Sequence, residues 1–190
     1  MEYQISAGAL PTGSNARSEE AILRLREAAE RLNERYTEDL AISLQQFGQK
    51  VILTGVITSG QAVPWLILDF LLETWPQPFG VSIDCQITRA SGVLQPGSKL
   101  ATLRNRKERI FIRGENGEEI FRATTILWEA ILGGWSARQV RTLRLMRELG
   151  RQKQVAEAMG VTPQSISETL GRAHWPRLKK SLNIMGELLS

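Results

Sequence analysis

An α+β chain in two parts is predicted by three observations. Strand and helix patterns alternate through residues 1–132, the pair Gly133-Gly134 interrupts them, and every pattern beyond it is a short amphipathic helix. The first part runs strand, helix, strand, strand, helix, strand, the split order of a ferredoxin-like βαββαβ body. The second part, residues 133–190, is predicted to be an all-α helix-turn-helix domain.

Residues 3–10 form the first strand, and Pro11-Thr12-Gly13-Ser14-Asn15 the turn that ends it. Over residues 18–36, Ile22, Leu25, Ala29, Leu32 and Tyr36 recur at three- and four-residue steps with Arg and Glu opposite, the signature of an amphipathic helix. Residues 40–47 and 50–58 read as a hairpin about Gly48-Gln49, its second strand weakened by Gly55. Residues 62–75, with Pro64 near the start, are apolar nearly all round, as a buried helix should be, and Pro76-Gln77-Pro78 stops them. In residues 79–88, Val81, Ile83, Cys85 and Ile87 alternate with polar neighbours, the period of a half-covered strand. A short strand at 109–113, a turn at Asn116-Gly117 and a helix at 118–132 complete the body. Trp65, Trp75 and Trp128 are expected to anchor its core, because no basic residues interleave with them as on a base-stacking surface.

Past the double glycine the signals are sharper. Ser136 can cap a helix over 137–149 with Gln139 reaching back in a capping box, Val140, Leu143 and Leu149 share its inner face with Met146 beside them, and Gly150 is a left-handed stop. A helix over 151–159 turns Val155, Ala156 and Met159 inward and ends at Gly160, so that the chain can turn sharply. Thr162 then caps a third helix with Pro163 in its first turn, where a missing N–H costs nothing. Ile166, Leu170 and Ala173 face its core, which leaves Gln164, Ser165, Ser167, Glu168 and Arg172 outward. Trp175 and Pro176 are expected to end it, wedging it against a last helix over 178–189 in which Leu182, Met185 and Leu189 recur at helical spacing. That last helix reads as core closure, with dimerisation as the alternative.

The outward set is what a recognition helix needs. Glutamine pairs bidentately with adenine, serine reaches a base edge or phosphate, glutamate accepts from cytosine and arginine grips guanine or phosphate. Gln164, Ser165, Ser167 and Glu168 are therefore expected to read bases, and Arg151, Lys153, Arg172, Arg177 and Lys179 to hold phosphates. The competing reading is a helical hairpin with a solvated polar face, docking a protein. Charge favours double-stranded DNA: residues 133–190 carry ten basic residues against four acidic, whereas residues 1–132 carry 14 against 16. The second basic cluster, Arg104, Arg106, Lys107 and Arg109 with Arg113 beyond it, reads as a solvated loop or a supplementary backbone contact. One helix-turn-helix buries little surface, so a homodimer on paired half-sites is expected.

Composition narrows the other classes. No apolar run reaches membrane-spanning length, and the start Met1-Glu2-Tyr3 has no signal-peptide pattern, so a cytoplasmic, membrane-free protein is expected. A single cysteine, Cys85, and a single histidine, His174, cannot form an internal disulfide or a Cys/His zinc site. Cys85 reads as a buried strand residue; His174, beside Trp175, reads as a phosphate contact or a packing residue rather than part of a triad. Gly55, Ser59 and Gly60 could cradle a phosphate but lack a following Gly-Lys-Ser/Thr, and ordinary turn glycines explain them better.

In layout, and in Asn15-Ala16-Arg17-Ser18, Arg31-Leu32-Asn33, Phe79-Gly80-Val81-Ser82-Ile83 and Trp135-Ser136-Ala137-Arg138-Gln139, the chain resembles the SatD family. The resemblance implies a body related to nucleotidyl-cyclase folds ahead of a C-terminal helix-turn-helix. Where that pattern has an acidic residue after the first strand and a Gly-Asp-Glu-Phe-like signature, this chain has Pro11-Thr12-Gly13 and Thr58-Ser59-Gly60-Gln61. Residues 40–63 contain no acid at all, and two-metal phosphoryl chemistry needs carboxylates to hold magnesium. The expectation is a non-catalytic DNA-binding protein, a bacterial transcriptional regulator, without cofactor or metal; a nucleotide-sensing or protein-docking module is the alternative.

Overall fold

Alternation of apolar and small polar residues at the start of the chain builds the central strand of a mixed α+β structure. The computed structural model describes residues 1–9, 19–46, 52–76, 79–86, 103, 108–113 and 118–190. The turns at 11–15, 48–49 and 116–117, Gln77-Pro78, the strand ends at Leu10, Phe47, Lys50, Ile87 and Thr88, Ser18 with the three residues before it, the Cys85 side chain, and Arg104, Arg106 and Lys107 lie outside the described residues.

Strands β1 (Glu2–Ala9), β2 (Leu40–Gln46), β3 (Ile52–Ile57), β4 (Phe79–Gln86) and β5 (Ile110–Arg113) form a sheet in the order β2-β3-β1-β4-β5. The first four pair antiparallel with their neighbours, and β5 adds parallel to β4. Register puts Ile5 between Gly55 and Ile83, and Ser6 between Thr54 and Ser82. Because side chains alternate faces, Tyr3, Ile5, Ala7, Leu53, Ile57, Val81, Ile83, Ile110 and Ile112 therefore share one buried face.

Helices α1 (Glu19–Arg35) and α2 (Val63–Thr74) contribute to the same apolar cluster through Leu25, Leu32, Leu66, Leu68 and Phe70. Helix α2 is buried almost all round, as its sequence predicts, but the burial includes Asp69 and Glu73. Helices α3 (Glu118–Gly133), α4 (Ala137–Leu149), α5 (Gln152–Met159), α6 (Pro163–Arg172) and α7 (Trp175–Leu188) follow. Among the described residues, no helix is long and apolar enough to cross a membrane.

Two expectations about the C-terminal helices need correction. Trp175 and Pro176 do not end α6; they open α7, because His174 takes a left-handed conformation at φ 54° and already makes the break, leaving Pro176 in the first turn. Leu149 does not face the core but is 39% exposed. Four residues on from Val140 and Leu143 come Arg144 and Arg147, and these occupy the inner face at that end of α4.

The apolar cluster runs unbroken from Tyr3 to Leu189 and takes in Val140, Leu143, Val155, Ile166, Leu170 and Leu182. Helix α7 closes against the body by backbone approach. A Cβ on Gly60 would overlap the Leu189 carbonyl oxygen, and one on Gly186 would meet the Gln61 carbonyl oxygen at 2.9 Å. Gly60 is thus filled by packing rather than open as a phosphate cradle. The Tyr3 hydroxyl donates to the Leu189 carbonyl at the same seam. Trp128 is buried, whereas Trp65 and Trp75 sit half-buried at the edge of the core.

Candidate nucleic-acid interface

Local capping chemistry fixes the three helices that follow Trp135. Ser136 Oγ accepts from the Gln139 amide at 3.4 Å while Gln139 Oε1 accepts from the Ser136 amide at 2.8 Å, a closed capping box. Gly150 at φ 74° and Gly160 at φ 65° end α4 and α5 in the left-handed region that glycine enters without a Cβ penalty. Thr162 Oγ1 accepts from the Ser165 amide at 3.2 Å and starts α6 one turn later. Leu143, Val155, Ala156, Ile166 and Leu170 are all buried, so the three helices share one interior.

That interior orients the candidate side chains. Gln164, Ser167, Glu168 and Arg172 are exposed on α6, with Gln164 Nε2 3.4 Å from Glu168 Oε1. Ser165, expected outward, is half-buried: its carbonyl accepts from Thr169 Oγ1 at 2.8 Å and its hydroxyl accepts from Arg138 Nη2 at 2.7 Å. A concavity of about 260 Å³ opens between the starts of α4 and the body of α6, lined by Ser136, Arg138, Gln139, Ser165, Glu168 and Arg172. Arg138 is the site residue that sequence reasoning missed. Its partner lies 27 positions away, and no local spacing announces such a pair.

The phosphate set divides. Arg151 and Lys153 are exposed at the start of α5, and Arg172 borders the concavity. Arg177 instead lines a separate groove between α3 and α7, with Ile120, Ile184 and Leu188, while Lys179 is exposed on α7. His174 is exposed too.

Two arginines counted in the basic excess are committed to the body. Arg147 Nε and Nη2 each donate to an Asp69 carboxylate oxygen at 2.8 Å, and the guanidinium lies 4.3 Å from the centre of the Trp65 ring. Asp69, at 0% exposure, also pairs with Arg35 at 3.0 Å and accepts from the Tyr36 hydroxyl at 2.8 Å. Burial opposes the charge on Arg147, but the Asp69 hydrogen bonds and charge outweigh it and hold its pKa above the usual value. Burial, with Asp69 beside it, pushes the Tyr36 phenol well up. Arg144 donates to the carbonyls of Leu72, at 2.8 Å from Nε, and of Glu73, at 3.2 Å from Nη2, and burial lowers its pKa. Both orphan carbonyls belong to the last turn of α2, so Arg144 caps that helix from another element.

No family model and no curated protein matches the chain. Among solved structures, a regulator of polyketide synthase expression from Bifidobacterium adolescentis is similar at 14% identity and a TM-score of 0.28, over 100% of this chain and 85% of that one.

Proposed function

We propose that the chain binds double-stranded DNA as a transcriptional regulator, with α5 and α6 as a helix-turn-helix and α6 as its recognition helix. The observation that carries this reading is the outer face of α6, where Gln164, Ser167, Glu168 and Arg172 stand exposed on a helix whose start is capped and whose other face is locked into a three-helix interior. Base readout requires such a rigid support, because a misdirected side chain loses its bidentate geometry. In this reading Arg138, held by Ser165, joins the recognition surface, and Arg151, Lys153, Arg172 and Lys179 supply phosphate contacts.

The body is a ferredoxin-like carrier of the SatD kind, with strand order β2-β3-β1-β4 supporting that assignment, and it acts without catalysis. Among the described residues, its most deeply buried carboxylates are already paired: Asp69 with Arg35 and Arg147, Glu73 with Arg31 at 2.6 Å, and Glu108 with Arg122 at 2.7 Å. A carboxylate in a bidentate arginine pair is poorly placed to ligate a metal as well. Cytoplasmic residence belongs to the same reading.

Selection from a random duplex pool at two salt concentrations tests it, with Gln164→Ala/Ser167→Ala as the control. The expected result is an enriched motif that the double variant loses, with affinity falling steeply as salt rises. Absence of binding at low salt would overturn the reading in favour of a protein-docking face.

A further inference from the structure

We propose that a second copy of this chain docks on the groove between α3 and α7, forming a two-fold dimer in which the two α3 helices run antiparallel. Among the described residues eight large apolar side chains are exposed, and five of them, Ile120, Ile126, Leu127, Ile184 and Leu188, belong to these two helices. The exposures are substantial: 63% for Ile120, 66% for Leu127, 47% for Ile184 and 60% for Leu188. On α3, Ile120, Thr124, Leu127 and Ile131 repeat at steps of four, three and four; on α7, Arg177, Ser181, Ile184 and Leu188 do the same. That repeat is the seam of helices that pack knobs into holes against other helices. The groove between them is open and about 350 Å³.

The charges at the groove's ends identify the occupant. Trp135 Nε1, just past α3, donates to the Ala173 carbonyl just before α7 at 3.1 Å, and Trp128 Nε1 donates to Ser181 Oγ at 2.9 Å, so the two helices run antiparallel. Within one chain, then, the acidic start of α3, Glu119 with Glu118, the latter 3.5 Å from Arg113 of its own chain, and the basic start of α7, Arg177 and Lys180, lie at opposite ends of the groove. A two-fold axis across the helices brings the acidic start of one copy to the same end as the basic start of the other, twice over. An axis along the helices would instead gather four glutamates at one end. Self-complementarity of this sort is what an isologous interface requires.

Helices of 16 and 14 residues span roughly 24 and 21 Å, so the face covers on the order of 500 Å² per copy, near the lower bound for a specific interface and consistent with a micromolar dimer. The dimer would also relate two α6 helices by a two-fold axis, the symmetry that a palindromic site has. Its existence is measured without DNA, so it stands or falls separately from the DNA-binding reading.

Sedimentation velocity on the full chain from about 1 to about 200 micromolar brackets that affinity. A concentration-dependent monomer–dimer shift is expected. Ile120→Glu and Ile184→Glu, both at exposed positions and checked for folding by circular dichroism, should each weaken the dimer at least about tenfold. Glu118→Lys/Glu119→Lys and Arg177→Glu/Lys180→Glu should each weaken it as well, and an equimolar mixture of these two variants should recover a heterodimer. A wild-type chain that stays monomeric throughout, a dimer indifferent to both isoleucine substitutions, or a mixture that recovers nothing would each overturn the proposal.

Discussion

The two ends of α4 use the same residue type in opposite ways. Arg138, in the first turn, is exposed and holds Ser165 of α6, whereas Arg144 and Arg147, in the last turns, reach into the body and bind Leu72, Glu73 and Asp69. One end of the helix offers charge to solvent and the other end neutralises charge already buried. The contrast teaches that a basic excess is not itself an interface. Ten basic residues in a segment suggest a phosphate-binding surface, yet two of them serve as rivets between α4 and α2, and only their partners reveal which.

The largest effect should come from breaking the inner end. Arg147→Ala removes the bidentate partner of a fully buried carboxylate but leaves it Arg35 and the Tyr36 hydroxyl, so the loss should cost about 2–3 kcal/mol, short of the penalty for a buried charge with no partner at all. Urea unfolding would measure it. Asp69→Asn with Arg147→Met should be milder than Arg147→Ala alone, since the buried charge goes together with the arginine that balanced it, and Arg35, whose side chain is 26% exposed, can be hydrated in its place. A near-neutral Arg147→Ala would break the comparison outright and mean that the arginine is as free as those at the other end.

The outer end should respond in the opposite manner. Arg138→Ala lies on the surface, so its stability cost should stay within about 0.5 kcal/mol. On the proposed function, the affinity of this variant for DNA should fall roughly tenfold, the low end of a direct contact, because Ser165 also loses the group that orients the concavity. Affinity titration and urea unfolding on the same variant check both halves. Loss of stability without loss of affinity would place Arg138 among the rivets.

This division also marks how far the sequence could be read. Interactions closed within one turn were legible: the Ser136–Gln139 capping box, the glycine stops at Gly150 and Gly160, and the Thr162-Pro163 start all have the geometry their residue types dictate. The strand at 79–86 followed from two-residue alternation, with Val81 and Ile83 both buried. What escaped was whatever joins distant segments. Arg147 and Asp69 are 78 residues apart, and an arginine at an inward position reads as an interruption of the apolar face until its carboxylate is seen. The start of α7 was misread for a different reason. Trp-Pro after a helix resembles a stop, and nothing in a histidine announces that it will take φ 54° and make the break itself.

The smallest effect concerns a buried carboxylate that lacks an arginine fork. Glu129, on α3, is half-buried, and one oxygen, Oε1, accepts the amides of both Arg109 and Ile110 at 2.7 Å, tying α3 to the start of β5. Burial raises its pKa, and the two amides and the Arg109 charge only partly offset this. A carboxyl whose folded pKa lies above its unfolded value, about 4.3, contributes stability that is fully present below that value and is lost as pH rises through the folded pKa. Glu129→Gln keeps an oxygen for the two amides and removes the titration. The stability of the variant relative to wild type should therefore climb with pH across that window and level off above it. Urea midpoints at several pH values check this, and a difference that does not vary with pH would show that the two backbone amides and the Arg109 charge fully offset the burial of Glu129.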